Sequence, residues 1–261
     1  MQSSSLRVKF SDLGLFFKEN KREIIVFATA FFVLITNKYL SETDNLIALL
    51  NNLGLDSIKL KAEALFYQSE NSRFNSLIYW VSILDLNYII VPILVIKLIL
   101  KEKASEFGLS LKLEKNFFQF YFVFMVFMLI LVYFASKTSS FQSKYPFLKI
   151  YNSSQLDSKF LIWELVYCSQ FFCLEFFFRG FMVKGLQNKF GLWSIFIMTI
   201  PYCMIHFGKP LPETIGSVFA GLILGYISYR GKGILAGFLM HITVALAMDG
   251  MALWQTGILG S

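Results

Sequence analysis

The chain has 261 residues, 56% of them hydrophobic and only 16% charged, with 30 Phe. Soluble domains usually carry about 25% charged residues, so this composition excludes an ordinary soluble globule and implies a polytopic membrane protein. The net charge of +7 does not imply nucleic acid, because Lys and Arg fall in short segments between apolar runs and no basic face with interleaved aromatics occurs.

Residues 1–22 are polar and basic, with Arg7, Lys9, Lys18, Lys21 and Arg22. A helix needs roughly 20 apolar residues to cross the hydrocarbon. By that measure spans are expected over 23–40, 77–100, 116–136, 159–186, 190–206, 212–229 and 233–255. The first run follows a basic segment like the n-region of a signal peptide. It ends in ITNKYL, with no small-residue cleavage pattern, so a retained span is expected. The short run LIALLNNLGL cannot cross and is expected at the interface. The expected fold is an all-α transmembrane bundle of about seven spans. Residues 1–157 form an N-terminal region with three spans, and 158–261 a core with four. A cytoplasmic N terminus places Lys101, Lys103, Lys112, Lys115, Lys184, Lys189, Arg230 and Lys232 inside.

The three cysteines lie in apolar runs without paired spacing and read as small buried hydrophobes. Ser217, Gly221 and Gly225, and again Gly233 and Gly237, recur at spacing four and read as helix-packing faces. No internal repeat and no interrupted helix pair is apparent.

Ionisable residues inside apolar runs are costly and so are candidate functional groups. They are Asp85, Glu164, Glu175, Arg179, His206, Glu213, His241 and Asp249. Both histidines of the chain fall in or at the end of such runs. Glu175 and Arg179 are four apart, share a helix face and can pair. They sit in FFCLEFFFRGF, whose Phe residues read as the apolar wall of a membrane helix. Glu164 lies three turns earlier on nearly the same face. Gly233, Gly237, His241, Ala245 and Asp249 form a slowly rotating stripe of small and polar residues, which would turn His241 toward other helices.

Three stretches in order resemble the CPBP family, the intramembrane proteases related to the CAAX prenyl endopeptidase and to bacteriocin-processing proteins. The family pattern Glu-Glu-x-x-x-Arg-Gly reads LEFFFRG here (174–180). Phe-x-x-x-His reads YCMIH (202–206), and His-x-x-x-Asn/Asp reads HITVA (241–245). Two positions depart: Leu174 replaces the first Glu, the general base of the better-understood members, and Ala245 replaces the Asn or Asp that helps the oxyanion hole. HFGKPLPE adds Lys209 and Glu213 just past His206. Those two, with Glu164, Thr243 and Asp249, are possible supporting groups.

The resemblance implies an intramembrane endopeptidase. A Glu175/His206-activated water would attack the peptide bond, His241 would stabilise the oxyanion and Arg179 would orient Glu175. No cofactor is expected, with zinc on Glu175, His206 and His241 as the alternative. The partners are a membrane-associated peptide or protein substrate and the lipid bilayer. The family branch points to a bacterial inner membrane. Two other readings stand beside this one: a non-catalytic CPBP-like scaffold, immunity or sorting protein, and a transporter using the same charges.

Overall fold

The computed structural model describes residues 10–259 except 111, 114 and 232, so Arg7, Lys9 and Lys232 lie outside the described residues. Every element among the described residues is helical. Helices α1 (Phe10–Glu19), α2 (Lys21–Leu40), α3 (Thr43–Asn52) and α4 (Asp56–Glu63) come first. Then follow α5 (Ser72–Leu100), α6 (Phe117–Ser136), α7 (Ser139–Lys144) and α8 (Ser158–Phe190). The last three are α9 (Trp193–Met204), α10 (Leu211–Arg230) and α11 (Leu235–Gln255). Six of them, α2, α5, α6, α8, α10 and α11, are long and apolar enough to cross a membrane. With these spans the chain is an integral membrane protein.

The expected spans hold to within a few residues, with one difference. The fifth apolar run does not form a full-length helix: α9 has only 12 residues, about 18 Å at 1.5 Å per residue. Residues 205–210 continue it without helix, around Gly208 at φ 86° and Pro210. The segment LIALLNNLGL contributes most of the short α3.

Helix α8 is the axis of the bundle. Asp157 starts it, its carboxylate accepting from the backbone N–H groups of Lys159 (2.8 Å) and Phe160 (3.2 Å). Gly191, at φ 52°, ends it. Phe176, Phe177, Phe178 and Phe181 are each fully buried. The Phe run is thus the wall of a membrane helix, as expected, and it faces the other helices of the bundle. A helix apolar on all sides belongs in the core, and here it packs against Val26, Tyr88, Met198 and Ile234. Residues Phe176–Lys184 are π-helical, a widening found often at functional sites.

The glycine faces serve three different purposes. Gly221 and Gly225 let α10 close on Thr199 and Ile195 of α9, where a Cβ would meet side chains at 2.8 and 2.7 Å. Gly233 lies under the Ser110 carbonyl, and Gly237 lies against a carboxylate of α8.

Candidate active site

Glu175 and Arg179 project from α8 and are both fully buried. Arg179 Nη1 is 3.1 Å from Glu175 Oε1. Removing two charges from water costs several kcal/mol each, so further partners are needed. His241 of α11 is the first: its Nδ1–H donates to the same Oε1 at 2.8 Å. A carboxylate can only accept, which fixes Nδ1 as the protonated nitrogen when His241 is neutral. His241 Nε2 then accepts from the Tyr202 hydroxyl, 2.9 Å away on α9. The Arg179 guanidinium lies 3.8 Å above the Tyr202 ring, a cation–π contact. Phe171 stacks on His241 with ring centres 5.0 Å apart.

Gly237 makes the approach of α11 possible. A Cβ there would sit 2.1 Å from Glu175 Oε2. The carboxylate fills the space that any other residue would occupy, so this glycine belongs to the site rather than to helix packing alone.

His206, just beyond α9, is 8% exposed. Its Nδ1–H donates to the Tyr202 carbonyl at 2.8 Å. A carbonyl has no proton to give, so neutral His206 presents Nε2 as a lone-pair acceptor. Its ring lies 4.8 Å from the Tyr202 ring, and the His241 ring 6.1 Å from it. The two imidazoles therefore flank one phenol. The group that hydrogen-bonds to Glu175 is His241, not His206. Glu175 Oε2 and the guanidinium nitrogens of Arg179 have no hydrogen-bond partner among the described residues.

The other candidates lie elsewhere. Lys209 Nζ and Glu213 Oε1 pair at 2.6 Å, and the Tyr145 hydroxyl donates to Glu213 Oε2 at 2.6 Å. Burial pushes the Tyr145 phenol well above its ordinary value, so it remains a donor. The carboxyl groups of Glu164 and Asp249 lie within reach of each other between α8 and α11. Burial lowers the nearby Lys149 ammonium, while the Asp249 charge opposes that shift. The Thr243 hydroxyl is bonded to Tyr121 and to the Leu239 carbonyl, not to Glu175. Asp85 accepts from Ser169 at 2.7 Å, between α5 and α8. Among the described residues no three His, Cys, Asp or Glu side chains gather so as to hold a metal ion. Glu175 and His241 are spent on each other.

Sequence reasoning treated Tyr202 only as the aromatic that opens YCMIH. The signal that could have found it is its hydroxyl: an aromatic with an O–H, one turn before a histidine, needs a partner inside a bundle. Leu174, at 5% exposure, packs in the core beside the site and offers it no carboxylate.

Residues 157–247 match the family model of the type II CAAX prenyl endopeptidase Rce1-like proteins. No curated protein and no solved structure matches the chain. The resemblance to the CPBP intramembrane proteases, carried by the three motifs, thus holds over the segment that contains Glu175, Arg179, Tyr202, His206 and His241.

Proposed function

We propose that the protein is an intramembrane endopeptidase that hydrolyses a peptide bond of a membrane-associated substrate with water, without a metal. The observation that supports this best is the pair of imidazoles flanking Tyr202 with opposite assignments. His206 offers a lone pair, and His241 is held by a carboxylate. His206 Nε2 removes a proton from water, whose oxygen attacks the scissile carbonyl. The Tyr202 hydroxyl turns from His241 Nε2 to donate to the oxygen on which negative charge develops, while His241 stays bonded to Glu175. Glu175 keeps His241 in one tautomer, and Arg179 holds Glu175 in place. His206 then returns its proton to the leaving amine.

This assignment moves the water from Glu175 to His206. Glu175 Oε1 is occupied by His241 and Arg179, and position 174 supplies no second carboxylate. The native membrane is a bacterial inner membrane, with the N terminus cytoplasmic. The substrate class suggested by the family is a prenylated peptide ending in Cys-aliphatic-aliphatic-X.

The test uses purified protein in mild detergent. It is offered a prenylated peptide of that type and an unprenylated, membrane-anchored peptide. Release of the C-terminal fragment by wild type, lost in His206→Ala and Glu175→Gln, is the expected result. Cleavage that survives both substitutions would refute the mechanism.

One observation favours a second reading, a non-catalytic binding protein. Leu174 occupies the position where the family pattern has its base. On that reading neither peptide is cut, and both bind equally well to wild type and to His206→Ala.

A further inference from the structure

As the base, His206 must stay in one place, yet it lies beyond the end of α9, in the non-helical residues 205–210 with Gly208 at φ 86°. Without a helical ladder its position depends on individual contacts. Its backbone N–H donates to the Cys203 carbonyl at 2.9 Å. Its carbonyl accepts from the Lys209 N–H at 3.1 Å and from the Thr214 hydroxyl at 2.9 Å. The His206 turn is therefore held by Lys209 on one side and by the first turn of α10 on the other.

Both anchors meet in Glu213, the residue before Thr214. Its Oε1 pairs with Lys209 Nζ at 2.6 Å. Alone that pair would hold little, since its side chains are 23% and 19% exposed and such a pair four residues apart contributes weakly. The other oxygen, Oε2, accepts from the Tyr145 hydroxyl at 2.6 Å. A short bond from a buried phenol to a carboxylate is among the stronger hydrogen bonds, and it fixes the direction of Glu213.

Tyr145 comes from residues 137–157, the connection between α6 and α8, which carries none of the three motifs. Its base is firm. Thr138 opens α7 by accepting from the Phe141 N–H at 3.4 Å. The Phe141 and Phe147 rings lie 4.8 and 5.2 Å from the Tyr145 ring. Phe147 in turn meets the Trp80 ring at 5.6 Å, and its carbonyl accepts from Arg73 at 3.2 Å. Phe141, Tyr145 and Phe147 are all buried. The phenol is thus anchored to α5, and through Glu213 it reaches the His206 turn.

We propose that Tyr145 is a positioning residue for His206, acting through Glu213, so that docking of the 137–157 segment completes the His206 side of the site. This rests on the reading of His206 as the base. The Tyr145 hydroxyl touches no reacting atom. It keeps Glu213 between Lys209 and the start of α10, and so keeps the two contacts on the His206 carbonyl in register.

The test compares Tyr145→Phe with Tyr79→Phe in the purified full chain. Each loses one phenol bond, but the Tyr79 hydroxyl donates to the Leu40 carbonyl, between α5 and the end of α2. Tyr145→Phe should lower kcat about 10- to 100-fold with KM within about twofold. It should also move the His206 imidazole NMR signals while those of His241 stay. Tyr79→Phe should do neither. Thr214→Val removes the hydroxyl on the His206 carbonyl and should give the same pattern as Tyr145→Phe. The two together should lose less than the product of their single effects, because both act through one turn. A rise in KM with kcat unchanged would make Tyr145 a substrate contact and overturn the proposal. Unmoved His206 signals in Tyr145→Phe, or equal movement in Tyr79→Phe, would overturn it as well. Glu213→Gln keeps the size of the side chain and loses its charge. It serves if Tyr145→Phe does not fold, and unmoved His206 signals there refute the proposal equally. The NMR comparison needs no substrate: if wild type cuts neither peptide the protease reading falls, and the His206 signals still decide whether Tyr145 positions this residue.

Discussion

Gly237→Ala puts the site to its sharpest test. The new Cβ would lie 2.1 Å from Glu175 Oε2 and 2.9 Å from Cδ. Carbon and oxygen in ordinary contact lie about 3.5 Å apart, so the carboxylate must retreat by roughly 1 Å or α11 must lift. Either movement breaks the 2.8 Å bond to His241 and the 3.1 Å approach of Arg179. Overpacking of a core costs about 1–3 kcal/mol, and uncoupling a buried ion pair about 3–5 kcal/mol. With partial relaxation, a net loss of roughly 2–4 kcal/mol is expected. A displacement of 1 Å at the reacting groups costs about 100-fold in rate. Gly250 is the internal control: it lies on the same helix, and a Cβ there meets nothing within 4 Å. Gly250→Ala should be neutral or slightly stabilising, since Gly inside a helix costs about 0.5–1 kcal/mol relative to Ala. Unfolding in detergent, peptide cleavage and histidine NMR all read the comparison. The chain has only two histidines, so the His241 signals are separable by substituting His206. If Gly237→Ala matches Gly250→Ala in stability and leaves the His241 signals unmoved, the packing of Glu175 against α11 is wrong.

Four further perturbations test the same geometry. Tyr202→Phe removes the donor to His241 Nε2 and should lower kcat about 10- to 100-fold with KM little changed, measured by steady-state cleavage. In the same variant His241 Nε2 should show the NMR shift of a lost hydrogen bond, whether or not a substrate is cut. Arg179→Ala leaves Glu175 as a buried charge with one partner fewer and should cost about 3–5 kcal/mol. Lys209→Ala breaks a partly exposed pair and should cost under about 1 kcal/mol, both read by unfolding in detergent. A chelator such as EDTA should leave cleavage unchanged, and loss restored by zinc would exclude the metal-free mechanism.

The spans were legible because apolar length is a one-dimensional property, and each long run became a helix within a few residues. The Glu175–Arg179 pair was legible for a similar reason, since spacing on one helix fixes it. Which histidine meets Glu175 was not. That depends on how α9 and α11 rotate about α8, and here α11 turns His241 inward while Tyr202 keeps His206 apart. Gly237 was read as a packing residue because sequence shows its size but not that a carboxylate would occupy the gap. The Phe run was legible as the wall of a membrane helix but not as its core: Phe is equally at home against lipid and inside a bundle, and only the position of α8 decides. The early end of α9 was hidden because residues 190–206 are mostly apolar, interrupted only singly, as by Ser194, Thr199 and His206.

That early end bears on how the protein enters a membrane. A 12-residue helix of about 18 Å falls well short of a hydrocarbon core of about 30 Å. Helix α9 therefore cannot leave a translocation channel on its own as a stable segment. Residues 205–210 that continue it carry backbone groups which only protein or water can satisfy. Within the folded chain, the Thr214 hydroxyl donates to the His206 carbonyl at 2.9 Å, and α10 packs along α9. Insertion of α9 must then wait for α10, the two entering as one hairpin against an already placed α8. The His206 end of the site comes into being in that step, so a stop introduced between α9 and α10 should leave α9 outside the bilayer while α8 is already across it.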